Sequence, residues 1–210
     1  MEKLTHLAVD IFVYEPTTQI KELLKQERVK LTDARALLLY MLFDLARNDE
    51  HVSEFSSEKV CYFLQRFGAK KYFKLDFEPN IYGPYSGKVR FVLNALNGSY
   101  ITGYSDMDKK LFEPLNLVAD GYQTVKNHVE SKSELNEIAQ KAMTFLEGFY
   151  SDVALELLSS IDYIAIKNNT LNKEIIVQKL TEWSDRKQSL FANPKHIDIA
   201  IKHIQQAVFV

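Results

Sequence analysis

The chain has 210 residues, 46% hydrophobic and 12% aromatic, enough to fill the core of one large domain or two small ones, so a globular protein is expected. Its 26 lysines and arginines nearly cancel 28 aspartates and glutamates, so no overall field marks a nucleic-acid or anionic-membrane partner; any such recognition has to be local. The longest apolar run, Ala36 to Phe43, stops at Asp44, far short of the roughly 20 residues that cross a bilayer. A lone Cys61 makes no internal disulfide and no charged-then-apolar leader is read at the start, so a cytoplasmic location is expected.

Taken in chain order, "VDIFVYEPT" alternates Val9, Ile11 and Val13 with Asp10, Phe12 and Tyr14, a strand closed by Pro16. No strand precedes it to complete its ladder, so it either joins the small sheet further on or, the reading preferred here, makes residues 1–16 the last strand of a domain that is otherwise missing. Residues 17–31 read as a helical connector with a short stripe of Ile20, Leu23 and Leu24. Thr32 is placed to cap a helix running to about Arg47. Phe55, a cap at Ser56 and Val60 have the spacing of a hydrophobic staple, and Val60, Phe63, Leu64 and Phe67 form the buried face of a helix stopped by Gly68. "KKYFKLDFEP" alternates like a strand with Phe73, Leu75 and Phe77 on the core, ended by Pro79.

The stretch "NIYGPYSGKVRFVLNAL" predicts a sharp turn at Gly83 into a helix over 85–96, with Pro84 in its first turn, Val89, Val92, Leu93 and Leu96 on one face, and Asn97 and Gly98 closing it. Two short strands, "SYITGYS" and "LFEPLNLVA", flank a polar loop. The fold class expected is mainly α (α+β): a winged-helix-like module over 32–119 containing a small antiparallel sheet, followed by a helical part over 120–210 packed on it. In that second part Asp120 with Gln123 and Ser131 with Glu134 have capping-box spacing. Stripes run through Leu135, Ile138, Ala139, Ala142, Phe145, Leu146 and Phe149, then Val153, Leu157, Ile161 and Ile164. Two helices follow, one around Ile176, Leu180 and Trp183, the other capped by Asn193 with Pro194 at its first position.

Catalytic signatures are not visible: there is no phosphate-binding glycine loop, zinc-protease helix or paired-cysteine spacing. His6, His51, His128, His196 and His203 are read as solvated, and Cys61 as a small packing residue. No metal, cofactor or catalytic residue is expected. Tyr82 and Tyr85 have two readings, half-buried packing under the sheet or rigid aromatic contacts for a partner.

The segments "EKVCYFLQRFG", "LDFEPNIYGPYSGKVRFVLNALNGSYITGY" and "VDIFVYEPT" together resemble the C-terminal region of the DarG antitoxin family, over about residues 9–104. The resemblance makes residues 1–16 the remnant of a macrodomain whose ADP-ribosyl hydrolase body is absent, and the rest a non-enzymatic antitoxin domain. It implies a 1:1 heterodimer with a DarT-type DNA ADP-ribosyltransferase toxin, inhibited by occupying its single-stranded DNA site through mimicry. A mimic of that kind uses acids and rings, so Asp76, Glu78, Tyr82, Tyr85, Tyr100, Tyr104, Asp106 and Asp108 are the candidate contacts, with Arg90 and Asn94 either holding the fold or touching the partner. Gly83, Pro84, Asn97 and Gly98 are assigned to structural turns. The alternatives are a Panacea-like toxin chaperone or adaptor, and a winged-helix DNA-binding regulator. The 85–96 helix offers only Lys88 and Arg90 to phosphates, so direct nucleic-acid binding is not expected, and neither is a membrane partner.

Overall fold

The structure, a computed structural model, describes residues 28–104 and 110–209. The expected strand at 9–14, most of the connector, His6, Asp106 and Asp108 lie outside the described residues. The fold is mainly helical with two small antiparallel sheets.

Two central helices organise it. Helix α1, Asp33–Arg47, starts where the sequence places it, with the Thr32 hydroxyl accepting the Arg35 N–H at 3.3 Å. Helix α2, Glu54–Leu64, is buried on every side, polar residues included, which marks it as the axis of the packing and not a surface helix. Its cap is Ser53, not Ser56: the two serines form a reciprocal capping box, so Phe55 lies inside the first turn and the predicted staple with Val60 does not form. Beyond α2 the chain makes a wide turn over Gln65–Ala69, where Gly68 takes φ +110°, a conformation that breaks a right-handed helix, and restarts as the short α3, Lys70–Phe73.

The strand predicted over "KKYFKLDFEP" is therefore mostly absent. Only Glu78–Asn80 is extended (β1), and it pairs with Gly83–Tyr85 (β2) as a hairpin in the register Glu78 to Tyr85 and Asn80 to Gly83. Before it, the Gln65 amide donates to the Leu75 carbonyl at 2.9 Å and accepts the Leu75 N–H at 2.8 Å. Pro84, expected at the start of a helix, is a strand residue. Helix α4 begins later, at Val89, and runs to Leu96 with Val89, Leu93 and Leu96 buried. Ile101–Thr102 (β3) and Asn116–Leu117 (β4) form the second sheet, as the two short predicted strands require.

The remaining helices are α5 (Tyr122–Glu130), α6 (Ser133–Leu146), α7 (Asp152–Asn168), α8 (Lys173–Trp183), α9 (Asp185–Leu190) and α10 (Pro194–Gln206). Neither predicted capping box forms: α5 follows a tight 3₁₀ turn over Ala119–Gly121, and α6 has no side-chain cap. The α6 stripe is buried from Leu135 to Leu146, whereas Val153 is exposed because the first turn of α7 projects beyond the core. Asn193 and Pro194 start α10 as predicted. Helix α1 packs on α5, α2 and α6, and α2 in turn packs on α7, α4 and β2. Cys61 is buried as a packing residue. His203 is not a solvated residue: it stacks between Phe145 and Phe149 at 4.5 and 4.3 Å and meets the Phe145 carbonyl at 2.6 Å. His128 likewise contacts Asp33 at 2.8 Å.

Candidate functional site

A cleft of 280 Å³ opens where α2 passes under the β1–β2 hairpin and the start of α4; Glu54, Glu58 and Lys59 form its floor, and Tyr82, Tyr85 and Arg90 its walls. Glu54 and Glu58 are one helical turn apart, so both carboxyls reach the same side of α2. Glu54 accepts hydrogen bonds from two phenols, Tyr85 at 3.1 Å and Tyr104. Burial raises both phenol pKa values above the ordinary range, that of Tyr85 to about 12, and the Glu54 charge adds to the effect. Both phenols remain donors at neutral pH.

Glu58 is 1% exposed and accepts the backbone N–H groups of Ser86 at 3.0 Å and Gly87 at 3.1 Å. Desolvation outweighs those bonds and pushes its carboxyl up to about 7. Lys59, equally buried, donates to the Pro84 carbonyl at 2.7 Å, and desolvation pulls its ammonium down to about 7. An acid and a base that both titrate near neutrality thus sit side by side. Two further groups are aimed at partners they do not have among the described residues: the Arg90 Nε and the Ser86 hydroxyl are buried without a hydrogen bond.

The hairpin explains the tyrosine-glycine-proline-tyrosine stretch. Gly83 has φ +94°, and a Cβ there would stand 2.9 Å from the Ser160 hydroxyl of α7 and 3.3 Å from the Lys59 ammonium. Only glycine lets the strand lie against both α2 and α7. Gly83→Ala is expected to cost about 3 kcal/mol, combining a disfavoured φ with overpacking, read as a shift in urea midpoint. A variant as stable as the parent would show that the hairpin does not lie against α7.

The sequence-predicted contacts fall in three groups. Tyr82, Tyr85 and Arg90 converge on the cleft, Tyr82 stacking edge-on against Phe55 and Phe112 and lying under the Arg186 guanidinium at 4.8 Å. Tyr104 reaches the cleft from below through Glu54, but its ring is 1% exposed, and Tyr100 is buried against Gly121 under Arg28, so neither offers a surface ring. Asp76 and Glu78 are exposed outside the cleft, Asp76 paired with Lys88 at 3.2 Å, and Asn94 is exposed on α4. Asn97 is structural, its side chain accepting the Tyr104 N–H at 3.0 Å.

The sequence reading places the helix cap at Ser56, which leaves Glu54 outside the helix and gives Glu58 and Lys59 no role, so all three escape it. The available signal was two glutamates four apart in a segment that then becomes wholly apolar. Among the described residues no group of three or more metal-ligating side chains is placed to hold an ion, and no helix is long and apolar enough to cross a membrane.

No family model matches the chain. It is 27% identical, over 197 residues, to a Thermus aquaticus protein named DNA ADP-ribosyl glycohydrolase, a match covering 92% of this chain and 53% of that one. Proteins of the same name from Mycobacterium tuberculosis and Mycobacterium bovis are 23% identical over 210 residues, 93% of this chain and 59% of theirs. The chain therefore spans about half the length of the curated relatives it matches. Those names correct the sequence-based expectation of a non-enzymatic, macrodomain-lacking antitoxin domain that acts by covering a DarT toxin: the relatives are named for a hydrolase acting on ADP-ribosylated DNA, and the toxin-inhibitor, chaperone and regulator readings go with it.

Proposed function

We propose that this chain works in the hydrolytic removal of ADP-ribose from DNA, as part of a DNA ADP-ribosyl glycohydrolase. The observation that carries this reading is the alignment of nearly the whole chain with proteins of that name. The cleft has chemistry that suits it. Glycoside hydrolysis needs one carboxyl that changes protonation near the working pH and a second that steadies positive charge on the sugar. Glu58, with its carboxyl near 7, fits the first role, and Glu54, held by two phenols, the second. In this scheme a water oxygen bonds to the anomeric carbon, the glycosidic bond breaks, and Glu58 passes a proton to the departing DNA atom and recovers one from the water. Arg90, with its buried Nε unpartnered, is placed for the diphosphate. A cytoplasmic location, with access to DNA, accords with this role.

The test is release of ADP-ribose from an ADP-ribosylated oligonucleotide. The chain is expected to release it with a rate that changes around pH 7, and Glu58→Gln, which keeps the backbone contacts on one oxygen, to slow the step about a hundredfold. A folded chain that releases none overturns the proposal, as does an unchanged rate in Glu58→Gln.

A further inference from the structure

On the other side of the hairpin, an open groove of 740 Å³ runs between the β1–β2 turn, the C-terminal half of α7 and the end of α8. Trp183, the only tryptophan in the chain, stands half-buried in its wall, with its ring centroid 5.7 Å from that of Tyr163 and the two planes inclined at 59°. The indole is fixed from two directions. Its N–H donates to the Asn80 carbonyl at 3.0 Å, and the fully buried Lys187 ammonium lies 5.0 Å from its ring. Holding it this way removes most of the rotamer entropy that stacking on a free side chain would cost.

Two further cations line the groove. Lys167, exposed on α7 and in no ion pair among the described residues, carries its ammonium 5.4 Å from the Tyr163 ring; Lys179 of α8 lines the facing wall, bonded to Glu182 at 2.7 Å. The groove thus joins a rigid aromatic platform to two positive side chains at its edges, with Glu182 the acidic group in its lining. A peptide would find few backbone partners here. Unpaired bases find a stacking surface, and their phosphates find ammonium groups at the rim.

We infer that this groove binds single-stranded DNA, with a base stacked on Trp183 beside Tyr163 and flanking phosphates neutralised by Lys167 and Lys179. Duplex DNA fits poorly because its bases are already stacked on one another. The inference rests on the reading of the chain as a hydrolase acting on DNA: it names the surface that would hold the strand beside the modified nucleotide.

Because Trp183 is unique, its fluorescence reports on the groove alone. Titration of the 210-residue chain with an unmodified ten-nucleotide oligodeoxythymidine is expected to quench that emission, with affinity falling as salt rises along a log–log slope of about −1.4 for two neutralised phosphates. Lys167→Gln with Lys179→Gln should weaken binding at least tenfold while the unliganded spectrum stays unchanged. Trp183→Phe, followed by anisotropy of a labelled oligonucleotide, should weaken it about tenfold through poorer stacking. Absence of quenching up to millimolar oligonucleotide overturns the inference, and so does quenching indifferent to salt and to the lysines, or equal affinity for duplex. Unmodified DNA carries no ADP-ribose, so binding without hydrolysis sinks only the earlier reading, and hydrolysis without quenching sinks only this one.

Discussion

Glu156→Ala is expected to lower stability by about 3–5 kcal/mol, because it strands a buried cation. Glu156 of α7 is 1% exposed and accepts hydrogen bonds from the Lys187 ammonium at 3.0 Å and from the Arg186 guanidinium at 2.8 Å. Arg186 is partly exposed and its charge can turn to water. Lys187 is fully buried and keeps one hydrogen bond, to the Ser160 hydroxyl at 3.0 Å, besides its contacts with the Trp183 and Phe191 rings. Desolvation already lowers the Lys187 pKa, and the attraction of Glu156 is the main force opposing that shift. Replacing both partners together, Glu156→Leu with Lys187→Met, removes the desolvation of both ions and should restore most of the loss. Urea denaturation of Glu156→Leu, Lys187→Met and the double variant, at pH 7, measures the coupling; a double variant that loses as much as Glu156→Leu alone would refute the account.

Lys59→Met should gain stability relative to the parent, and the gain should shrink as pH rises. The folded Lys59 pKa, about 7, lies below the ordinary lysine value of 10.5. Between those values the unfolded chain holds a proton that the folded chain lacks, so the parent becomes more stable with rising pH, and the penalty is fully present below about 7. From pH 7 to 9.5 the change is about 3 kcal/mol at 1.4 kcal/mol per unit. Glu58 runs the opposite way: its folded pKa near 7 lies above the ordinary glutamate value of 4.5, so stability falls from pH 4.5 to 7, where the unfolded chain has lost a proton that the buried carboxyl still holds. Together they place this pair's least favourable point near neutrality. Urea curves for parent and Lys59→Met that stay parallel between pH 7 and 9.5 would contradict it.

What the sequence made legible follows the strength of local signals. Helix α1, α4 from Val89 and α10 stand where caps and apolar periodicity put them, because Thr32, Asn193 and Pro194 act within one turn of the chain. The hairpin was misread because Pro84 suits both the first turn of a helix and a short edge strand, and what decides is Gly83 fitting against Ser160, 77 residues away in the sequence numbering. The cleft was half legible. Tyr82, Tyr85 and Arg90 stood out as residues, but the carboxylates that join them lie on a helix whose complete burial comes from packing by α7 and the hairpin, information that no window of α2 contains.

The Gln65 side chain, bonded twice to Leu75, acts as a surrogate peptide unit, offering one donor and one acceptor where a neighbouring strand would. Both backbone groups of Leu75 are satisfied without a neighbouring strand. The segment between α3 and β1 is thereby tied to the turn that follows α2, and Leu75 stays out of the sheet.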